Sequence, residues 1–268
     1  YPTYGSEFSI TGKFTLPYSL FNGIDYADLK NQKDYKLRYT TGSGINVQAT
    51  EDGQVPIEGD YIVETEEGSG IYETVGSNWQ NASANQAEVD QKRFNWLEYY
   101  KIKFKADWYT RVYEKLVLRT NAEFGFMGSY TDRGLVPFER FFLGGDGLAN
   151  FALDGREVIQ LRGYPNNSLS SQDGGTIYNK FSLELRYPIT MNQSASIYAL
   201  SFLEAGSAFD TFKQYNPFKL QRSAGVGLRV FMPAFGLLGI DFAHGFDAIP
   251  GETIKSGWQT HFIIGQQF

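Results

Sequence analysis

The sequence predicts an all-β fold, an antiparallel transmembrane β-barrel with eight strands in this chain. Three observations lead there. Short segments alternate apolar and polar residues, the connections between them alternate short and long, and the chain holds 22 Phe, 18 Tyr and 4 Trp among 268 residues. Period-two alternation puts successive side chains on opposite faces of a strand. Strands of about ten residues with aromatic girdles are what a membrane barrel uses. The mean hydropathy of −0.34 is compatible, because only every second barrel residue meets lipid. Apolar runs fall far short of the ~18 residues of a membrane helix.

The strands read in order as follows. In EFSITGKFTL, Phe8, Ile10, Phe14 and Leu16 oppose Glu7, Ser9, Lys13 and Thr15. In KIKFKADWY, Ile102, Phe104, Ala106 and Trp108 oppose Lys101, Lys103, Lys105 and Asp107. Leu116, Leu118, Ala122, Phe124 and Phe126 then oppose Lys115, Arg119, Asn121 and Glu123, and Phe181, Leu183, Leu185 and Tyr187 oppose Lys180, Ser182, Glu184 and Arg186. ASIYALSFLEAGSAF alternates less cleanly, with Glu204 near its end. Ala224, Val226, Leu228 and Val230 oppose Ser223, Gly225, Gly227 and Arg229; Leu238, Ile240 and Phe242 oppose Gly239, Asp241 and Ala243. In the last segment Trp258, Phe262, Ile264 and Phe268 oppose Gln259, His261 and Gly265.

Turns near Thr110–Glu114, at PITMNQ and at MPAFG are short; long connections run over roughly 17–97, 128–175, 210–220 and 246–256. Such asymmetry is the outer-membrane pattern. A soluble lipocalin-like barrel also alternates, so periodicity alone leaves both open, and the aromatics, strand lengths and loop asymmetry favour the membrane. The segment at about 18–97 is polar and acidic in places, and is expected to be a long surface loop, with small hairpins at DYKLRYT and DYIVETE. A second long surface loop is expected at about 128–175, so that residues 1–268 form one barrel domain.

The absence of cysteine excludes a disulfide scaffold, thiolate metal sites and thiol catalysis. A net charge of −6 argues against nucleic acid as a partner. No secretory leader opens the chain, as expected of a processed or trimmed secreted protein. His244 and His261 are the two histidines, expected at strand ends or on a wet wall and not on a metal. There is no nucleophile elbow, phosphate loop or calcium loop, so no catalytic residue, metal or cofactor is assigned.

The stretch VIQLRGYPNN places Arg162 between Leu161 and the pair Gly163–Tyr164. LRGY resembles the Arg-Gly loop motif of the BamA family of outer-membrane barrel-assembly insertases. VPFERFFLGGDGL at 136–148 is similar to the family's approach to that loop, and FSLELRYPI, FLEAGSAFD and RSAGVGLRVFMPAFGLLGIDFA to the strands that follow. FIIGQQF is similar to the family's last strand, and GSEFSITGKFTLP resembles an earlier one more weakly. The blocks keep family order over roughly 100–268. Two departures are the long segment 18–97 and an insertion near Ala149–Gln160.

The resemblance implies that the eight strands correspond to the last eight of a sixteen-stranded barrel, preceded in the family by periplasmic POTRA domains. It implies a bacterial outer-membrane location and a function in folding and inserting β-barrel proteins. Partners would be outer-membrane lipids, unfolded barrel substrates and accessory assembly lipoproteins. It places the carboxylates of Glu184 and Glu204 where the loop arginine docks, since a buried guanidinium must be paired. Gly163 permits the tight turn and Tyr164 packs on the wall. The last strand is implied as one side of a lateral gate, with Phe262, Ile264, Gly265 and the terminal Phe268. A translocation or autotransporter-assembly relative, and a plain porin or surface receptor, are the alternatives.

Eight strands taken alone leave two edges, at Glu7–Leu16 and Gly257–Phe268. Edges cannot persist in lipid, so the expectation is closure between first and last strands, with the Arg162 loop displaced outward or poorly ordered. Edge-to-edge association of two chains, or membership of a larger barrel, are the other arrangements.

Overall fold

The computed structural model describes residues 2–36, 62–64, 72–74, 84–130, 136, 138–148, 156–192, 195–233 and 236–265. Two units emerge from the packing. The first is Tyr1–Phe14, Tyr99–Gly128 and Leu135–Phe268; the second is Thr15–Glu98 with Ser129–Gly134.

The first unit is an eight-stranded antiparallel sheet. Its strands are β1 (Gly5–Phe14), β4 (Tyr100–Tyr113), β5 (Leu116–Gly128), β8 (Ile177–Met191), β9 (Ser196–Phe209), β10 (Gln221–Met232), β11 (Gly236–Ala248) and β12 (Lys255–Gly265), and they lie in that order. Two short strands, β6 (Phe141–Leu143) and β7 (Glu157–Ile159), pair in parallel within the connection between β5 and β8. In the second unit β2 (Ile62–Glu64) pairs with β3 (Tyr72–Thr74), which is the hairpin expected at DYIVETE. DYKLRYT lies outside the described residues beyond Lys36.

The second unit also holds α1 (Ser19–Asn22) and α2 (Gln86–Phe94). Asn85 caps α2 by accepting the Glu88 N–H at 3.4 Å, in the Asn-x-x-Glu arrangement that starts helices. Tyr26, Leu29 and Val89 form a small buried cluster there.

From β4 to β12 the long strands turn their polar and charged face inward, whereas β1 is exposed on both faces. Lys101, Asp107, Asn121, Lys180, Ser182, Glu184, Arg186, Glu204, Ser223, Arg229, Asp241 and His261 are all 7% exposed or less. Their apolar neighbours Phe181, Leu183, Leu185, Leu203, Val226, Phe242, Trp258 and Phe262 are 37–72% exposed. A soluble barrel buries its apolar face and wets the polar one. This sheet does the reverse, as a wall between lipid and a polar interior must.

On the inward side the connection between β5 and β8 folds back onto the sheet. Phe141, Leu143, Ile159, Leu161, Tyr164 and Leu169 from that connection pack with Tyr99, Met127 and Tyr178 into one buried cluster. The expected closure of β1 on β12, with this loop expelled, is not found. The sheet runs open from β1 to β12, and the loop occupies its inner side. The physical reason is volume. A closed eight-stranded barrel is filled by its own wall side chains, whereas here Phe141, Leu143, Leu161, Arg162 and Tyr164 of the loop, all 0–2% exposed, take that space.

Candidate functional site

The site is built around the loop tip Leu161–Tyr164, which follows β7. Gly163 has φ 88°, a left-handed conformation that side chains disfavour. A Cβ there would also lie 2.7 Å from Ser223 Cβ and 3.1 Å from the Gly245 nitrogen. Glycine therefore lets the tip lie directly on β10 and β11. The Gly163 N–H donates to His261 Nε2 at 2.8 Å, and its carbonyl accepts from Ser256 Oγ at 2.7 Å. Because Nε2 accepts, the neutral imidazole carries its proton on Nδ1. Tyr164 is buried and its hydroxyl donates to the Arg222 carbonyl at 2.8 Å. Burial pushes the Tyr164 phenol up to about 12.

Arg162 is 2% exposed and engages three carboxylates. Its Nη2 lies 2.8 Å from Glu184 Oε1 and 2.6 Å from Glu204 Oε1; its Nη1 lies 3.1 Å from Asp241 Oδ2. Its backbone N–H donates to Glu204 Oε2 at 2.8 Å. The guanidinium plane covers the Phe202 ring, 3.5 Å from its centroid. Three carboxylates around one cation would repel one another, and further arginines offset that. Arg186 and Arg119 reach Glu184 at 2.5 and 3.3 Å, Arg229 holds Asp241 at 2.6 and 2.7 Å, and Arg119 continues to Asp107 at 2.7 Å. Opposite charges thus alternate from β4 to β11.

The sheet register makes room for this. Asp241 lies opposite Gly227, and Arg229 lies opposite Gly239. A Cβ at Gly227 would lie 1.8 Å from Asp241 Oδ1, and one at Gly239 would lie 2.6 Å from Arg229 Cδ. Each charged side chain lies flat over a glycine of the neighbouring strand.

A second cluster holds the other part of the loop. Lys101 Nζ on β4 lies 2.6 Å from Glu157 Oε2 and donates to the Glu139 carbonyl at 2.7 Å. Lys103 Nζ lies 2.6 Å from Glu157 Oε1, and Lys13 on β1 pairs with Glu139. Burial raises the Glu157 carboxyl, but Lys101 and Lys103 outweigh it and leave the group below the usual carboxylate value.

The structure thus brings Arg162, Glu184 and Glu204 together. Phe262 and Ile264 face outward on β12, 56% and 63% exposed. Gly265 is the last described residue, and Phe268 lies outside the described residues. Among the described residues no group of three or more His, Asp or Glu side chains is arranged to hold a metal ion; the three carboxylates at Arg162 hold its guanidinium. No described helix is long and apolar enough to cross a membrane, which leaves strand crossing untouched.

The Omp85 superfamily domain matches residues 18–268, nearly the whole chain. The chain belongs to the Omp85 superfamily. That superfamily is one of outer-membrane protein insertion and translocation. Among solved structures, the chain is similar to BamA from Haemophilus ducreyi lacking POTRA domains 1–3, with 20% identity and a TM-score of 0.45, over 62% of this chain. The matched part spans 34% of that relative. No curated protein matches.

Sequence reasoning about this Omp85 domain missed Asp241, Arg229, Phe202 and His261 as contacts of the loop tip and its carboxylates. The available signal was an acid on the polar face of a glycine-rich strand. Lys13, Lys101 and Lys103 were legible as a wet face, but their partners Glu139 and Glu157 lie in a loop with no periodicity to place them.

Proposed function

We propose that the protein carrying this Omp85 domain folds and inserts β-barrel proteins in the bacterial outer membrane. The observation that carries the reading is the seated loop tip, with Arg162 between Glu184, Glu204 and Asp241. It ties β8, β9 and β11 into a rigid wall, and Gly163 next to it reaches β12 through His261 and Ser256. A wall braced from inside up to its last strand suits one side of a lateral gate. An unfolded substrate strand would add to that edge by main-chain hydrogen bonds. Gly265 weakens the end of β12, since glycine contributes no packing, and Phe262 and Ile264 face lipid beside it. No bond-making chemistry is required of any residue. Unfolded barrel proteins would be the substrates, with accessory lipoproteins as partners. The loop residues filling the inner side disfavour a plain porin.

The test uses the complete protein reconstituted in liposomes with an unfolded barrel substrate. The substrate is expected to reach its heat-resistant form at least about tenfold faster than in protein-free liposomes, a barrier reduction near 1.4 kcal/mol. Equal rates, accompanied by rapid leakage of small solutes, would overturn the reading in favour of a pore.

A further inference from the structure

Three residues on the outward side of β8 and β9 are buried where lipid would be expected: Ile177, Asn179 and Ser207, at 0%, 2% and 3% exposure. They alternate in register with the exposed Phe181 and Leu203 of β8 and β9. The connection at 210–220 folds back over this part of the outer wall and contacts Asn179 and Ser207. Phe212 packs edge-on against Phe126 at 5.7 Å, and Tyr215 against Phe124 at 5.9 Å and Phe209 at 5.4 Å. Both polar wall residues bond to the flap. Asn179 Nδ2 donates to the Pro217 carbonyl at 3.4 Å, and Ser207 Oγ contacts the Lys219 carbonyl and Gln221 Oε1.

The outer side of this flap has its own chemistry. Phe218 is 90% exposed and Phe212 56%, each followed directly by an exposed lysine, Lys219 and Lys213. Among the described residues no carboxylate pairs with either ammonium. Residues 211–220 contain no acid, although the whole chain carries −6. Next to the flap, one pleat nearer the middle of the strands, Phe181 lies between Ala122 and Ala205 on the two neighbouring strands. With Leu183, Leu203 and Phe246 these line an outward groove of about 600 Å³.

We propose that the connection at 210–220 is a lipid clasp for an anionic, phosphate-bearing membrane lipid. Lys213 and Lys219 hold the headgroup, Phe212 and Phe218 enter the interface, and an acyl chain lies in the groove over Ala122 and Ala205. A phenylalanine next to a lysine suits the boundary of a bilayer, where the ring sits among acyl chains and the ammonium reaches headgroup level. Charge selects the headgroup, since lysines close to an anionic surface are attracted to it. A shallow apolar groove with small residues at its floor accepts a flexible chain without demanding a particular shape. The inference rests on the sheet being a membrane wall.

The complete protein in vesicles of phosphatidylcholine mixed with phosphatidylglycerol tests it, using spin-labelled forms of each lipid and reading the motionally restricted fraction. The wild type is expected to prefer phosphatidylglycerol by about fivefold per engaged lysine. The double variant Lys213→Ser, Lys219→Ser should lose that preference while its heat-resistant form stays intact, because both side chains are exposed and the flap is held by the Phe212 and Tyr215 rings and the Pro217 and Lys219 carbonyls. Phe218→Ser should reduce restriction of both lipids alike. An inserted wild type with no preference, or a double variant with an unchanged one, overturns the clasp alone. Release of the wild type from the vesicles by alkaline carbonate overturns the membrane wall and the clasp with it.

Discussion

Arg162 and Glu204 meet twice: Nη2 of the arginine lies 2.6 Å from Oε1 of the glutamate, and the arginine's backbone N–H lies 2.8 Å from Oε2. One carboxylate therefore fixes both the side chain and the main chain of the loop tip, with Glu204 3% exposed and Arg162 2%.

Removing one partner of a buried ion pair leaves the other charge unpaired, at a cost of about 3–5 kcal/mol. Arg162→Ala is expected to lower the temperature at which the heat-resistant form is lost on semi-native gels. Arg162→Glu should be worse, as it adds a fourth acid beside Glu184, Glu204 and Asp241. Arg162→Lys should rescue little, because one ammonium cannot span three carboxylates as a planar guanidinium does. Wild-type behaviour of Arg162→Ala would show that the contacts are not needed for folding.

Two glycines separate packing from flexibility. Gly227→Ala would place its Cβ 1.8 Å from Asp241 Oδ1, so the aspartate must move off Arg229 and Arg162. A loss of about 1–3 kcal/mol is expected, the range of a broken buried network. At Gly265 a Cβ would meet nothing within 4 Å. Gly265→Ala should change stability by no more than about 0.5 kcal/mol, while slowing substrate insertion if a loose last strand is needed. Denaturant midpoints and the liposome assay separate the two effects.

Tyr164→Phe removes the hydroxyl's donation to the Arg222 carbonyl and its longer, weaker bond from the Asp247 N–H at 3.4 Å, and leaves the buried ring. The Arg222 carbonyl loses its donor, and the expected cost is about 0.5–1.5 kcal/mol. Unfolding in denaturant should show a shifted midpoint with an unchanged slope.

Acid should weaken the second cluster. The Glu157 carboxyl is held below its ordinary value by Lys101 and Lys103, although burial opposes them. Its folded state thus binds a proton less readily than the unfolded chain, whose glutamates titrate near about 4.3. The stabilisation is fully present above that pH and is lost as pH falls through the folded value. Glu157→Gln should be less stable than wild type at neutral pH, and the gap should close in acid. A gap that is the same at both pH values would remove Glu157 from the account.

The eight strands and their facing were legible because alternation at Phe181–Tyr187 or Ile102–Trp108 reports which side meets an apolar medium. Arg162, Glu184 and Glu204 were legible as a motif and two acids on polar strand faces. Asp241 was on such a face too, yet its contact depends on register, since only the glycines opposite Asp241 and Arg229 let those side chains lie toward the loop. The flap at 210–220 was hidden for a different reason. Asn179 and Ser207 read simply as polar breaks in an outward face, and nothing local shows that distant backbone carbonyls will accept from them. The unclosed sheet was missed because strand counting cannot weigh the space that an inward loop occupies.

The inward loop also has a mechanical meaning. It is fastened to Lys101 and Lys103 on β4 through Glu157, and to β9, β11 and β12 through Arg162 and Gly163. A pull on the C-terminal end therefore does not peel one hairpin at a time. Extracting β12 first shears the Gly163–His261 contact, and β11 cannot follow until the Arg162–Asp241 contact breaks. Force-extension traces would show β12 and β11 leaving in two successive rupture peaks, and the second would shrink in Arg162→Ala.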